Sequence, residues 1–211
     1  MTHKKSLSLI AGSIFFGLFI FFSYLVHKNT FTVFDFDMTV RLQDHIPRRF
    51  DIPFSLLSMI GTFEVMAVVL LIIVLVRRKL IGGMVTFGLF GLFHIFEIYG
   101  KTFVTHTPPP HFLLRTQLPF NFPQFYVSTE NSYPSGHSGR AWFITTTVGI
   151  LIWHSKKLSK EVKVAIIAGL LGYDLLMMTS RVYLGEHWTT DVIGGAIEAI
   201  ALGLIGGAFL I

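Results

Sequence analysis

Apolar runs separated by short charged turns occupy most of this 211-residue chain. Residues 6–26, 54–76 and 80–100 each approach the ~20 apolar residues that cross a ~30 Å hydrocarbon layer, and 192–211 nearly does. Two weaker runs, 135–153 and 164–179, carry more polar positions. The pattern predicts an all-α, polytopic membrane protein with six transmembrane helices in one bundle. Residues 1–211 read as a single membrane domain. Its core runs from about 54 to 211, preceded by an N-terminal helix and an interfacial segment, 1–53.

Between the first two runs, Phe34, Phe36, Met38, Val40 and Leu42 alternate with polar residues, formally a strand pattern. The other reading is an interfacial element, helical or not, lying along the headgroups. The connection 102–134 holds six of the eight prolines, among them Pro108-Pro109-Pro110, and so is not a spanning helix. Its aromatic residues Phe112, Phe120, Phe122, Phe125, Tyr126 and Tyr133 suit a loop packed on the headgroup region. In the last run Gly195, Ala199, Gly203 and Gly207 recur every four residues, a stripe for close helix packing.

Composition agrees: 52% of residues are hydrophobic and only 14% charged. The net charge of +5 is a topology signal. With six spans, Lys4, Lys5, Arg77, Arg78, Lys79, Lys156, Lys157, Lys160 and Lys163 share one side with Glu161 alone. On the other side Lys28, Arg41, Arg48 and Arg49 are balanced by Asp35, Asp37, Asp44 and Asp51. The first side is expected to be cytoplasmic with both termini, in a multi-pass plasma-membrane protein. No basic soluble face suggests nucleic acid. The first run, 21 residues with no A-x-A-like site after it, is expected to stay as an anchor. The absence of cysteine removes disulfides, thiol catalysis and thiolate metal sites.

On this topology the candidate chemistry collects on the outer side. Lys101 ends the third span, Pro134-Ser135-Gly136-His137 opens the fourth, Arg181 ends the fifth, and His187 and Asp191 open the sixth. Unpaired N–H groups at the start of the fourth helix would attract an anion, with Gly136 permitting close approach. If 187–191 is helical, His187 and Asp191 share a face and the carboxylate accepts the Nδ1 proton. Nε2 is then a nucleophile for phosphorus, and His137 is an acid for the leaving alkoxide and a base for water. Lys101 and Arg181 would neutralise phosphoryl oxygens. Inside the spans, Glu97 can share a face with His94 and Lys101. Asp174 and Glu198 are expected to find buried partners in the bundle, whereas Glu64 has no evident one.

These motifs resemble the type 2 phosphatidic acid phosphatase family, which shares its site with vanadium haloperoxidases and glucose 6-phosphatase. The family pattern is K-x6-R-P, then P-S-G-H, then S-R-x5-H-x3-D. Residues 134–137 match the second part, and Ser180-Arg181, His187 and Asp191 the third, without change. The resemblance implies His187 as nucleophile, Asp191 as its orienting partner and His137 as acid/base, with Lys101, Ser135, Gly136 and Arg181 as phosphate ligands. It also implies a six-helix bundle that dephosphorylates lipids on the outer leaflet without a metal or other cofactor.

The first motif departs from the pattern, because Pro108 stands at the arginine position, followed by Pro109. Arg140, one turn after His137, is the favoured replacement and Arg115 the weaker one. The expected protein is a lipid phosphate or diphosphate phosphatase working as a monomer among membrane lipids. Phosphatidate, phosphatidylglycerophosphate and undecaprenyl diphosphate are candidate substrates. The alternatives are a non-catalytic lipid-binding or lipid-moving relative and, ranked lower, a vanadate-dependent haloperoxidase.

Overall fold

The structure is a computed structural model that describes residues 3–118 and 130–211. Phe120, Phe122, Phe125 and Tyr126 of the long connection lie outside the described residues. The architecture is all-helical: α1 (His3–His27), α2 (Thr32–His45), α3 (Asp51–Ile60), α4 (Phe63–Arg77), α5 (Leu80–Phe103), α6 (Gly136–Trp153), α7 (Lys160–Tyr183) and α8 (Thr189–Leu210). Single 3₁₀ turns occur at Arg48–Phe50 and His111–Leu113. The alternating segment is thus the helix α2, not a strand. It turns Asp35, Thr39 and Gln43, spaced four apart, into the protein and leaves Val33, Phe34 and Phe36 exposed.

α8 is the central helix, packed against α6, α1 and α5. Its small-residue stripe is what lets α6 lie so close. Gly195 meets the backbone of Ser135, Gly203 meets Phe143 and Thr146, and Gly207 meets Ile150. A methyl group at Gly195 would run into the Ser135 carbonyl, whereas at Gly203 and Gly207 the neighbouring atoms of α6 would have to give way. At the far end, the Arg77–Lys79 turn holds the carbonyl end of α8: Arg77 donates to Leu210 O at 3.0 Å and Lys79 to Ile211 O at 2.6 Å. Cations at the negative end of a helix dipole are a favourable match.

Among the described residues four helices are long and apolar enough to cross a membrane: α1 (from Lys5), α5, α7 and α8. The expected second span, 54–76, is not one straight helix. It breaks between α3 and α4, which are bent by 48° and together make a fifth crossing if counted as one. The break falls at Gly61 and Thr62, where Thr62 is extended (φ −67°, ψ 158°). The expected fourth span, α6, does not qualify on composition. Its Ser138, Arg140, Thr145 and Thr147 are polar and buried where α6 packs against α8, α7 and α4. The six-helix count is therefore not reproduced by length and apolarity alone.

Of the two carboxylates expected to find buried partners, Asp174 does and Glu198 does not. Asp174 accepts from the Thr145 hydroxyl at 3.1 Å, leaving Oδ2 without a partner. Fully buried Glu198 has no hydrogen bond to either oxygen among the described residues, because no donor on the facing helices reaches it.

Candidate active site

The helix ends named from sequence meet around two adjoining cavities of about 430 and 450 Å³. Lys101, Arg181 and His187 line both. The first reaches into the bundle, where His137, Arg140 and Glu97 share its wall with Phe63, Gly91 and Ile98. The second opens beneath the loops that carry Pro108, Pro109 and Glu186.

On one side of the first cavity Glu97 gathers the cations. Its Oε1 lies 3.0 Å from Lys101 Nζ, and its Oε2 lies 3.2 Å from both Arg140 Nη1 and His94 Nδ1. Lys101 and His94 reach it by helical spacing, as expected; Arg140 comes from a different helix. The break between α3 and α4 completes the hold on Arg140: the Gly61 carbonyl, at the end of α3, accepts Arg140 Nε at 2.8 Å. Gly61 also leaves room for its neighbours, since a Cβ there would crowd Met177 and the His137 ring. Glu64, at the start of α4, lies within electrostatic reach of the same guanidinium.

On the other side Asp191 gathers the histidines. His187 does not share a helix with it; His187 sits in the turn before α8, following Gly185 at φ +70°. Asp191 is in the first turn and reaches back, accepting the Trp188 N–H at 2.9 Å and facing His187 Nδ1 at 3.3 Å, both through Oδ2. A helix-capping contact thus replaces the expected shared helix face, because the carboxylate caps the free N–H groups of the turn. Nε2 of His187 is left for chemistry. Burial holds this imidazole below its ordinary pKa; Asp191 opposes that, and Arg181 and Lys101 add to it.

Asp191 Oδ1 has a partner that sequence reasoning missed: His106 Nδ1 at 2.7 Å. The other ring nitrogen of His106 lies 3.5 Å from Asp35 of α2. The only sequence signal was position, since His106 lies within the altered first motif, five residues after Lys101. Asp35 gave none beyond its charge. It also binds the start of α8, taking the Thr190 N–H at 2.8 Å and the Thr190 hydroxyl at 2.6 Å.

The remaining sequence candidates fall elsewhere. Ser135 is fully buried and lines neither cavity; its N–H donates to the Asp191 carbonyl at 3.0 Å. Gly136 lies against the Glu97 carboxylate, where a side chain would not fit. Arg115 is engaged away from the cavities, donating to the Gln43 carbonyl at 3.1 Å and lying over the Tyr183 ring. Arg181 forms an ion pair with Glu186, which also accepts from Thr116. Among the described residues no cluster of three or more His, Asp or Glu side chains is arranged to hold a metal ion.

Comparison with known proteins bears on this geometry. The sequence model of the PAP2 superfamily matches residues 79–209, more than half of the chain and every one of the cavity cations and histidines. Phosphatidylglycerophosphatase B of Bacillus subtilis (strain 168) is 45% identical over 76 residues. That alignment covers 35% of this chain and 34% of the relative, so the chain spans about a third of the length of the curated relative it matches. Among solved structures, a transmembrane PAP2-type phosphatidylglycerolphosphate phosphatase from Bacillus subtilis superposes with a TM-score of 0.74 at 20% identity, over 92% of this chain and 93% of that one. LpxE from Aquifex aeolicus gives a TM-score of 0.62 at 21% identity, over 82% and 94%. At such identities the two structures share a fold with this chain.

Proposed function

The chain belongs to the PAP2 superfamily, and from that premise we propose that it is an integral-membrane lipid phosphatase. It hydrolyses a phosphomonoester or diphosphate through a phosphohistidine and needs no metal. The observation that carries the reading is that His137, His187, Lys101, Arg140 and Arg181 all line one cavity of about 430 Å³.

In the proposed reaction Nε2 of His187 attacks phosphorus in line with the ester oxygen. The P–N bond forms as the P–O bond to the lipid breaks, and His137 gives its proton to the departing alkoxide. His137 then takes a proton from water, whose oxygen displaces His187 and releases inorganic phosphate. Lys101, Arg140 and Arg181 stabilise the charge that spreads over the phosphoryl oxygens. Arg140 takes the place of the motif arginine that Pro108 replaces. Ser135 and Gly136 act as supports for the start of α6, Ser135 tying it to the Asp191 carbonyl and Gly136 leaving room for the Glu97 carboxylate. The apolar end of the substrate lies toward Phe63, Gly91 and Ile98, between α4 and α5. The protein crosses the plasma membrane six times as a monomer, with α3–α4 as one bent crossing and α6 enclosed by the others. Its termini face the cytoplasm and its cavity faces outward, as the loop charges support.

The test is phosphate release by detergent-purified protein from a panel of lipid phosphates, headed by phosphatidylglycerophosphate because two similar proteins carry that activity in their names. Wild type should turn over at least one lipid with inhibition by vanadate, and His187→Ala should lose about 10³-fold or more. Equal release by both proteins from every lipid would end the reading.

A further inference from the structure

Asp191 is shared by two histidines, and the two contacts are unequal. His106 Nδ1 stands 2.7 Å from Oδ1, whereas His187 Nδ1 stands 3.3 Å from Oδ2, an oxygen that also accepts the Trp188 N–H. Each ring nitrogen of His106 faces a carboxylate, Asp191 on α8 and Asp35 on α2. An imidazole so placed needs a proton on both nitrogens, because a bare lone pair aimed at a carboxylate is repelled. Between those two carboxylates it is a cation, and a charge-assisted contact is roughly twice as strong as a neutral one.

The position is built. The His106 side chain is only 8% exposed. The backbone N–H of His106 donates to Asn131 Oδ1 at 3.0 Å, and its backbone carbonyl accepts both the N–H and the hydroxyl of Ser132. The Tyr133 ring stands edge-on to the imidazole, and Trp188 ties the next residue by donating to the Thr107 carbonyl at 2.7 Å. The groups facing it are therefore Asp35 from α2, Asp191 from α8 and Tyr133 from the connection.

We propose that His106 is a positioning residue for the nucleophile: as a cation bridging Asp35 and Asp191, it fixes the Asp191 carboxylate and keeps His187 unprotonated and ready to attack. Asp191 faces two demands. It must hold the Nδ1 proton of His187 so that Nε2 carries the lone pair, yet an undiluted negative charge there would favour the imidazolium, which cannot attack phosphorus. A second cation on its other oxygen resolves the conflict, orienting His187 while offsetting the charge that would protonate it. The linkage to Asp35 explains why a segment outside the family match, which begins at residue 79, is held against the start of α8. This inference rests on His187 being the nucleophile.

The experiment follows kcat/KM against pH with p-nitrophenyl phosphate, whose leaving group does not need a proton from His137, and reads the histidine titrations by ¹³C NMR. His106→Gln removes the charge and the donor to Asp191. It should lower kcat on the order of tenfold and move the acid limb upward by roughly one pH unit, the scale of one lost neighbouring charge. The His187 resonance should titrate higher by the same amount. His106→Asn, which keeps an N–H where Nδ1 was, should recover part of kcat but not the acid limb. Asp35→Asn should move the limb in the same direction by less, and serves if the His106 variants do not fold. An unchanged acid limb and an unchanged His187 titration in the variants overturn the proposal, whatever happens to kcat. Failure of the parent reading looks different: wild type and His187→Ala would be equally active or equally inert, while the NMR comparison would still report on His106.

Discussion

Two buried carboxylates flank the cavity and are used in opposite ways. Glu97 on α5 is surrounded by Lys101, Arg140 and His94, and its work is to hold positive charge still. Asp191 on α8 is surrounded by His106 and His187, and in the proposed mechanism it decides where protons sit. The proposed phosphoryl transfer would use both, fixed charge for the spreading oxygens and mobile protons for nucleophile and leaving group. In the proposed mechanism, keeping them on separate carboxylates lets a proton move at His187 or His137 without loosening the cations. The sequence spacing is the same on the two sides, Glu97 with Lys101 and His187 with Asp191, four residues apart in each case. The partner that completes each cluster comes from distant chain, Arg140 for one and His106 for the other.

The comparison is broken most severely at Glu97. Glu97→Gln keeps the shape but leaves Lys101 and Arg140 facing a neutral amide in a buried setting. Removing one member of a buried charged group costs about 3–5 kcal/mol, so thermal unfolding in detergent should fall markedly. Phosphate release should be nearly lost through both kcat and KM, since two cations lose their common anchor. Wild-type stability and kinetics in this variant would show that the cations do not depend on Glu97.

Arg140 sharpens the same side. Arg140→Ala should cost about 10²-fold in kcat/KM, an effect comparable to Arg181→Ala, with vanadate inhibition weakened in both. Arg115→Ala is the contrast, expected within a few-fold of wild type because its guanidinium serves the Gln43 carbonyl and the Tyr183 ring. Steady-state kinetics on the three variants separates these outcomes. A large loss at Arg115 with none at Arg140 would reassign the missing motif cation.

How far each side was legible in the sequence follows from where its partners come from. Helical spacing exposed Glu97 with Lys101; His187 and Asp191 do meet as their spacing suggested, but through a helix cap rather than a shared helix face. Loop charge grouped Lys101, His137, Arg181 and His187 at one end, and all four line the first cavity. What spacing does not carry is the meeting of distant segments. Apolarity predicts one helix over 54–76, whereas Gly61 and Thr62 break it so that a backbone carbonyl can take Arg140. Hydropathy ranks α6 as a weak span, because enclosure by protein frees it to carry buried polar residues. His106 stood within the altered motif without a visible partner, since Asp35 and Asp191 lie 71 and 85 residues away in the chain.

The smallest effect tests the Asp191 side through stability. Burial works against a charge on His106, but the carboxylates of Asp191 and Asp35 outweigh it and raise its pKa from 6.5 to about 9. Below pH 6.5 the folded and unfolded chains both hold this proton, and the contribution to stability is fully present. Between 6.5 and about 9 only the folded chain keeps it, so stability declines as pH rises. The slope for one proton is at most about 1.4 kcal/mol per pH unit, and the contribution is gone above the folded value. His187 works in the other direction. Its lowered pKa gives a contribution that is present above the ordinary histidine value and is lost on acidification. Thermal unfolding in detergent from pH 6 to 10 should therefore show an alkaline decline in wild type that His106→Asn flattens, while Glu97→Gln, though far less stable, keeps it. If the decline persists undiminished without the His106 imidazole, the cation bridging Asp35 and Asp191 is not what the alkaline limb reports. The division of labour between the two carboxylates would then have to be drawn elsewhere.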